Sequence, residues 1–244
     1  MKEKLVKLSV FDRLKFLFKD SLIYGSAAAI SKAFGLISFP LIARSLSVSD
    51  FGYYDYLISL VTFFTVLIQF GQDSSIARFY YEYDSKKKRQ IFISQSLSFQ
   101  FFCIILVLLF ISIFHDQFIK AIFFNMQSEN ILLLLLINIP FQLLISFSQN
   151  LLRWSFQRFS FLFMSLGYTL FQTFLIFLLF ILEKMTVTNL FISYISLNII
   201  FASIGIFFIR KFLIIPTNFK NFSEILYVSL PYGVIGVLTT LSAT

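Results

Sequence analysis

Charged residues are scarce in this chain, and their scarcity excludes an ordinary soluble protein. Only 13% of the 244 residues are charged, whereas 58% are hydrophobic and 36 are Phe. Soluble domains usually carry about a quarter charged residues. A soluble core of this size could not hide so many Phe side chains, but a lipid bilayer solvates apolar side chains readily. The composition therefore indicates an integral membrane protein.

Cysteine and histidine are almost absent as well. The single Cys103 excludes an internal disulfide, and the single His115 has no partner ligands for a metal site. The sequence contains no zinc-ligand spacing, phosphate-cradling loop or nucleophile motif. We therefore expect no metal, no cofactor, no catalytic residue and no enzymatic activity.

Long apolar runs define the fold class. A membrane-spanning helix needs about 20 mostly apolar residues. Six segments meet this requirement: Leu22–Ala43, Tyr54–Phe70, Ile91–Phe114, Ile131–Gln149, Phe161–Leu182 and Leu190–Ile209. A seventh begins near Ile225. The predicted fold is all-α, a polytopic membrane helix bundle whose short connections make consecutive helices antiparallel neighbours.

The chain divides into three predicted parts. Residues 1–20 form a basic amphipathic N-terminus, with apolar residues at roughly helical spacing among the lysines. This pattern is typical of a helix on an anionic membrane surface, and a solvated basic tail is the alternative. Residues 21–211 form a six-helix bundle. Residues 212–244 form a cytoplasmic connection and the beginning of the next helix.

The distribution of Lys and Arg predicts the orientation. If the N-terminus is cytoplasmic, sixteen of the twenty fall in cytoplasmic segments, three fall outside and Lys32 lies within the first helix. The positive-inside rule then places residues 84–90 and 153–158 in the cytoplasm and residues 115–129 outside the cytoplasmic (inner) membrane. Because the basic residues cluster between apolar runs, the net charge of +8 does not indicate nucleic acid as a partner.

Polar side chains form stripes on three predicted helices, each at a period of 3.6 residues. The stripes are Thr62, Thr65, Gln69 and Asp73 in the second helix, Asn138, Gln142, Ser146 and Gln149 in the fourth, and Ser165, Tyr168, Thr169, Gln172 and Thr173 in the fifth. One stripe by itself would indicate interhelical hydrogen bonds. Three together favour a hydrated cavity, and we predict that Gln142 and Gln172 share it.

The first helix carries a lysine among small residues. Gly25, Ala29 and Ala33 recur every four residues, which predicts a face for close helix approach. Lys32 is seven residues from Gly25 and so lies on nearly the same side. We expect it to point into the bundle, either as a cavity charge that attracts an anionic group or as a structural partner of a carboxylate such as Asp55 or Asp73.

Three stretches resemble the N-terminal half of oligosaccharide flippases, the polysaccharide-biosynthesis branch of the multidrug/oligosaccharidyl-lipid/polysaccharide exporter superfamily. They are FPLIARSLSVSDFGYYDYLISL from Phe39, SSIARFYYEYDSKKKRQ from Ser74 and LLRWSFQRFSFLFMSLG from Leu151. The stretch LYVSLPYGVIGVL from Leu226 resembles the start of the seventh helix of that family, which opens the second lobe.

The resemblance implies one lobe of a two-lobe transporter that carries a lipid-linked oligosaccharide across the membrane by alternating access. The anionic (pyro)phosphate of that substrate would meet cationic cavity residues. Because the sequence holds only the first bundle and part of one more helix, we expect a fragment, a truncated product or half of a split transporter. The candidate substrate-binding residues are Lys32, Arg44, Gln69, Asn138, Gln142 and Gln172.

The expected partners are the lipid-linked oligosaccharide and membrane lipids, with glycan polymerase and assembly proteins as further candidates. One alternative is a cation-coupled drug exporter, which needs an intramembrane carboxylate. Asp55 and Asp73 lie near the ends of the second predicted helix, which counts against it. A second alternative is a truncated membrane protein with no transport activity. A membrane-embedded glycosyltransferase would need a sizeable loop with carboxylates or His, and no loop here is long enough.

Overall fold

A computed structural model of the chain describes residues 10–83, 85–114, 116–117, 129–216 and 222–243. All regular structure within these residues is helical. In chain order the helices are α1 (Val10–Ser45), α2 (Val48–Gln69), α3 (Gln72–Glu82), α4 (Lys86–Ile113), α5 (Glu129–Trp154), α6 (Arg158–Leu162), α7 (Tyr168–Ile181), α8 (Val187–Ile209) and α9 (Phe222–Ala243). A π-helical turn, Phe163–Gly167, joins α6 to α7, and a 3-10 turn, Arg210–Phe212, follows α8.

Seven helices within the described residues are long and apolar enough to cross a membrane. They are Phe18–Ser45, Val48–Gln69, Lys86–Ile113, Ile131–Trp154, Arg158–Ile181, Val187–Phe212 and Phe222–Ser242. Each overlaps one predicted segment, and the prediction of a polytopic helical membrane protein is confirmed. The fifth span contains α6, the π-helical turn and α7 as one continuous path.

The centre of the bundle is formed by α5 and α8. About half of each span is buried inside the protein (50% and 44%), against 11% to 22% for the other five. One of the two main core clusters packs Leu135 and Leu143 of α5 against Phe191 of α8 and Leu57 of α2. Many other large apolar side chains are exposed, as on α7, where Phe174 is 56% exposed. Lipid therefore receives much of the Phe-rich surface.

The strongest helix contacts join spans that are not consecutive. α5 packs mainly on α8, α1 mainly on α7, and α9 on α3 and α2. α1 meets α2, its neighbour in sequence, at only a few positions. The prediction that consecutive helices pack as neighbours is therefore wrong for α1. It packs instead along the whole fifth span, which begins with α6, where Tyr24 contacts Phe161 edge-to-face at 4.9 Å between ring centroids.

A break separates α2 from α3. Phe70 and Gly71 both adopt left-handed backbone angles, with φ of 39° and 73°. A Cβ atom on Gly71 would lie 2.5 Å from the backbone nitrogen of Gly233 in α9, so glycine is required both for the conformation and for the contact. The predicted polar stripe that continued from Gln69 to Asp73 is therefore wrong, because Asp73 belongs to a separate helix.

The basic N-terminus predicted for residues 1–20 is helical where the structure describes it. Residues 1–9 lie outside the described residues, and residues 10–20 are the first turns of α1, with exposed Phe11, Leu14 and Phe18. The first six spans run from Phe18 to Phe212, close to the predicted bounds of 21–211. α9 packs on α2 and α3 through small residues, with Ser229 Oγ 2.7 Å from Ser75 Oγ.

Candidate functional site

The face of α1 that carries Lys32 is open. Lys32, Gly25, Ala29 and Ala33 are all exposed, and a Cβ atom on Gly25 would meet nothing within 4 Å. The prediction that this face packs closely on another helix, with Lys32 pointing into the bundle, is wrong for the described part of the chain. The physical reason is that the opposite side of α1 packs on α7. We call the exposed side, defined by these four residues, the open face.

The alternative of a structural ion pair for Lys32 finds no support. Across the residues the structure describes, Lys32 forms no ion pair with Asp55 or Asp73. Asp55 is exposed near the start of α2, and Asp73 is half-buried at the start of α3. Lys32 therefore carries its charge on a helix face that this bundle leaves uncovered.

The packed side of α1 uses hydroxyl groups. Ser38 Oγ lies 3.1 Å from Thr173 Oγ1, and Thr169 Oγ1 donates to Ser31 Oγ at 3.2 Å. Both threonines belong to the polar stripe predicted for the fifth span. That part of the stripe therefore serves contact with α1, because hydroxyl pairs satisfy each other between closely packed helices.

A buried network of amide and tyrosine side chains lies between α5, α7 and α8. Asn198 Nδ2 donates to Asn138 Oδ1 at 2.6 Å and to Gln142 Oε1 at 3.2 Å. Tyr168 donates its hydroxyl to Asn198 Oδ1 at 2.7 Å, and Tyr194 donates to Gln142 Oε1 at 3.2 Å. Asn138 and Asn198 are fully buried. We call these five residues the buried network.

The rest of the α5 stripe also bonds to neighbouring helices. Gln69 Nε2 of α2 donates to Ser146 Oγ at 2.8 Å. Gln149 Nε2 donates to the backbone carbonyl of Met164 at 3.2 Å, inside the π-helical turn. A π-turn shifts the backbone hydrogen bonds by one residue and so leaves a carbonyl for such a donor. For α5 the structure thus favours interhelical hydrogen bonding over a hydrated cavity.

Gln172 lies apart from the rest of the predicted polar site. It is half-buried and lines a narrow cleft together with Tyr54, Leu190 and Tyr194. Gln142 does not line this cleft, although it reaches Tyr194 from the buried network. Among the described residues, the two glutamines approach the same tyrosine, but only Gln172 lines this cleft.

The six candidate residues do not converge on one site. Lys32 and Arg44 are exposed on α1, whereas Gln69, Asn138, Gln142 and Gln172 lie within the bundle. The residue class that could attract an anion is thus separated from the amides that could contact sugar hydroxyls. Since the interior amides are largely engaged with other side chains, the open face is the part of the predicted site that is free to meet a ligand.

Sequence reasoning missed two polar groups that the structure reveals. One is Asn198, the centre of the buried network, which stands four residues after Tyr194 in a largely apolar helix. The other lies beside the α2–α3 break, where Ser96 Oγ donates to Gln72 Oε1 at 2.6 Å and Gln100 is buried nearby on the same helix as Ser96. The spacing of four residues in α4 and α8 is the signal that could have identified both.

The fold defines a multi-pass helical membrane protein with a charged, uncovered helix face. Residues 17–244 match the model of a protein family described as polysaccharide biosynthesis protein. No curated protein and no solved structure matches the chain. Because the family match covers nearly the whole chain, the chain belongs to the polysaccharide biosynthesis protein family, and the resemblance drawn from its motifs is confirmed at that level.

Proposed function

We propose that this chain is part of a non-enzymatic transporter that carries a lipid-linked oligosaccharide, held on a polyprenyl (pyro)phosphate, across the cytoplasmic membrane by alternating access. Membership of the polysaccharide biosynthesis family supports a polysaccharide-related membrane role. The observation that carries the finer proposal is Lys32, an exposed charge on the open face of α1 that forms no ion pair with any described residue.

The depth of Lys32 makes its exposure informative. It lies fourteen residues from Phe18 and thirteen from Ser45, the ends of the first span. At 1.5 Å per residue, Lys32 is therefore about 20 Å from either end. A lysine at the centre of a lipid-facing helix costs about 3 kcal/mol even on the lenient insertion scale. The open face is thus better explained by a water-filled pathway than by lipid.

A pathway with this lining suits a phosphate-bearing lipid. The Lys32 ammonium supplies a positive charge in a region of low dielectric, where attraction to a phosphate is much stronger than in bulk water. Gly25 and Ala29 leave room for a bulky headgroup beside it, since they carry little or no side chain. Arg44, about 18 Å further along α1, offers a second charge towards the other end of the span.

The basic segments gather at one end of the bundle, which supports the proposed orientation with a cytoplasmic N-terminus. Gln90 Nε2 donates to the carbonyl of Lys211 at 2.9 Å, and Lys211 Nζ donates to Gln157 Oε1 at 2.9 Å. Arg158 forms an ion pair with Asp20. The positive-inside rule assigns such an end to the cytoplasm.

The test is glycan export in cells that depend on the natural protein for it. Lys32→Ala should abolish export while membrane level and melting temperature stay unchanged, because Lys32 forms no ion pair within the described part of the chain. Lys32→Arg should retain part of the activity, since the charge survives in a different geometry. Lys184→Ala, which removes an exposed lysine from a loop, is the matched control and should export normally. Normal export by a stable Lys32→Ala variant would refute the proposed role of Lys32.

A further inference from the structure

A second cluster of polar and aromatic side chains lies at the basic end of the bundle, away from the open face. It joins four helices: Asp20 and Tyr24 from α1, Tyr81 from α3, Arg153 and Trp154 from α5, and Arg158 from α6. We call it the basic-end cluster. None of its residues belongs to the open face.

Direct contacts hold part of this cluster together. Arg158 Nε donates to Asp20 Oδ1, and the Tyr81 hydroxyl donates to the backbone carbonyl of Trp154 at 2.6 Å. The Arg153 guanidinium lies over the Trp154 ring, 4.7 Å from its centroid. Tyr24 stands one helical turn after Asp20 on α1, and its ring packs edge-to-face on Phe161 of α6, with 4.9 Å between ring centroids.

Other polar atoms of the cluster are buried and make no hydrogen bond within the described chain. They are Asp20 Oδ2, Tyr24 OH, Arg153 Nε and Trp154 Nε1. Asp20 as a whole is only 5% exposed. Buried polar groups are nearly always paired in native proteins, so four such atoms in one place indicate a missing partner.

The chemistry of these atoms favours an anion as the partner. Three of the four, Arg153 Nε, Trp154 Nε1 and the Tyr24 hydroxyl, can donate a hydrogen bond, and the fourth, Asp20 Oδ2, belongs to the carboxylate that already pairs with Arg158. A phosphate presents several acceptor oxygens and pairs strongly with guanidinium groups. Tryptophan prefers the headgroup level of a membrane, which is where lipid phosphates lie.

We propose that the basic-end cluster binds the phosphate group of a membrane lipid between Arg153, Arg158 and Trp154. The Arg158 side chain is 29% exposed, so an incoming phosphate meets this guanidinium first and competes with Asp20 for it. Rotation of the half-buried Arg153 and Trp154 side chains then brings their donors to the phosphate. The Tyr81 hydroxyl keeps its bond to the Trp154 carbonyl and holds this end of α5 in place.

Tyr81 remains a donor over the whole physiological range. Burial raises the pKa of Tyr81 to about 12, and nearby Tyr80, Tyr24 and Asp20 act in the same direction. Its hydroxyl is therefore protonated at neutral pH, and the contact with Trp154 does not depend on pH there.

The only tryptophan of the chain lies in the cluster, which makes the proposal measurable. The full chain in a phosphate-free maltoside detergent is titrated with dioctanoyl phosphatidylglycerol, with a short-chain prenyl phosphate and with dioctanoylglycerol, while Trp154 emission is recorded. We expect a saturable change with a phosphate lipid and none with dioctanoylglycerol. Saturation by both phosphate lipids would show that phosphate itself is recognised; saturation by one would identify the phospholipid or the prenyl carrier as its source.

Variants localise the binding. Arg153→Gln and the double variant Asp20→Asn/Arg158→Gln should each weaken binding about tenfold, the loss expected for one charge-assisted hydrogen bond. The double variant removes both charges of the Arg158–Asp20 ion pair together. Tyr24→Phe should weaken binding less. Arg210→Gln is the matched control, since Arg210 also lies over an aromatic ring at this end, 4.3 Å from the Phe207 centroid, but outside the cluster.

Three results would overturn the proposal: no saturable change with either phosphate lipid, an equal change with dioctanoylglycerol, or equal affinities in Arg153→Gln and the unmodified chain. Melting curves identify any variant that fails to fold. If Arg153→Gln or the double variant fails to fold, Tyr24→Phe, which removes only one hydroxyl group, still tests the site through its smaller expected loss of affinity. Because the readout is lipid binding at Trp154, the result is independent of the Lys32 export experiment.

Discussion

Asn198 and Lys32 are both polar residues deep within membrane-spanning helices, and their surroundings are opposite. Asn198 is fully buried and makes three hydrogen bonds through its amide, to Asn138, Gln142 and Tyr168. Lys32 is exposed and has no ion pair with a carboxylate in the described part of the chain. The first residue holds helices together, whereas the second is a charge that the bundle leaves available.

The contrast shows how polar residues in a membrane bundle should be sorted. A polar stripe on one helix indicates that the stripe avoids lipid, and both a partner helix and a water-filled pathway meet that need. Only the contacts separate the two cases. Amides that complete one another's hydrogen bonds stabilise the fold, and an uncovered charge indicates a ligand or water.

The largest expected difference between the two kinds of polar position is in thiol reactivity. In a Cys103→Ala background, Lys32→Cys should react with a charged, water-soluble thiol reagent in membranes, because the open face is expected to meet water. Asn138→Cys, inside the buried network, should not react. Phe110→Cys, on a side chain that is 58% exposed towards lipid, is the second unreactive control. Equal protection of positions 32 and 110 would mean that the open face meets lipid or a dry partner.

Glycine substitutions compare the packing inside the bundle with the packing on the open face of α1. A Cβ atom on Gly205 of α8 would lie 2.7 Å from Ser148 Oγ and 3.0 Å from Met164 Cε, whereas one on Gly25 of the open face would meet nothing within 4 Å. We expect Gly205→Ala to lower the free energy of unfolding by about 1–3 kcal/mol through overpacking. Gly25→Ala should leave it unchanged or raise it, because alanine favours helix. Denaturation in detergent measures both, and equal effects would contradict the described packing.

The smallest expected effect tests the buried network itself. Asn198→Ala removes the amide that joins Asn138, Gln142 and Tyr168, and interhelical hydrogen bonds in membranes contribute about 0.6–1.7 kcal/mol. We expect a loss of that size. Ser196→Ala, at an exposed position of the same helix, should have no measurable effect. If Asn198→Ala were as stable as Ser196→Ala, the network would not be structural, and a ligand role for its amides would gain support.

Much of the fold could be predicted because membrane insertion is a local property. All seven predicted segments correspond to spans, since each depends only on the summed transfer free energy of about 20 neighbouring residues. The helical wheel also grouped Gly25, Ala29 and Lys32 correctly on one side of α1. It could not reveal whether α1 would pack through that side or through Ser31 and Ser38, because this depends on α7, more than a hundred residues away.

The α2–α3 break could not be predicted from the sequence. No feature of a polar stripe that continues from Gln69 to Asp73 indicates that the helix ends between these residues. Gly71 marks the place, but a glycine within a membrane helix is common, and only the approach of Gly233 and Ser229 from α9 makes the left-handed turn favourable there.

The amino-acid sequence was enough to predict a multi-pass helical membrane protein and the places of its seven spans, because composition and hydrophobic run length act residue by residue along the chain. Short motifs in the same sequence were enough to identify the family. Which polar side chains form hydrogen bonds inside the bundle, and which stay exposed, depends on contacts between helices that are distant in sequence and so appears only in the tertiary structure. Asn138 and Gln142 became interior hydrogen-bond partners because α8 supplies Asn198 and Tyr194 opposite them, and Lys32 stayed exposed because no helix of the described bundle covers its face.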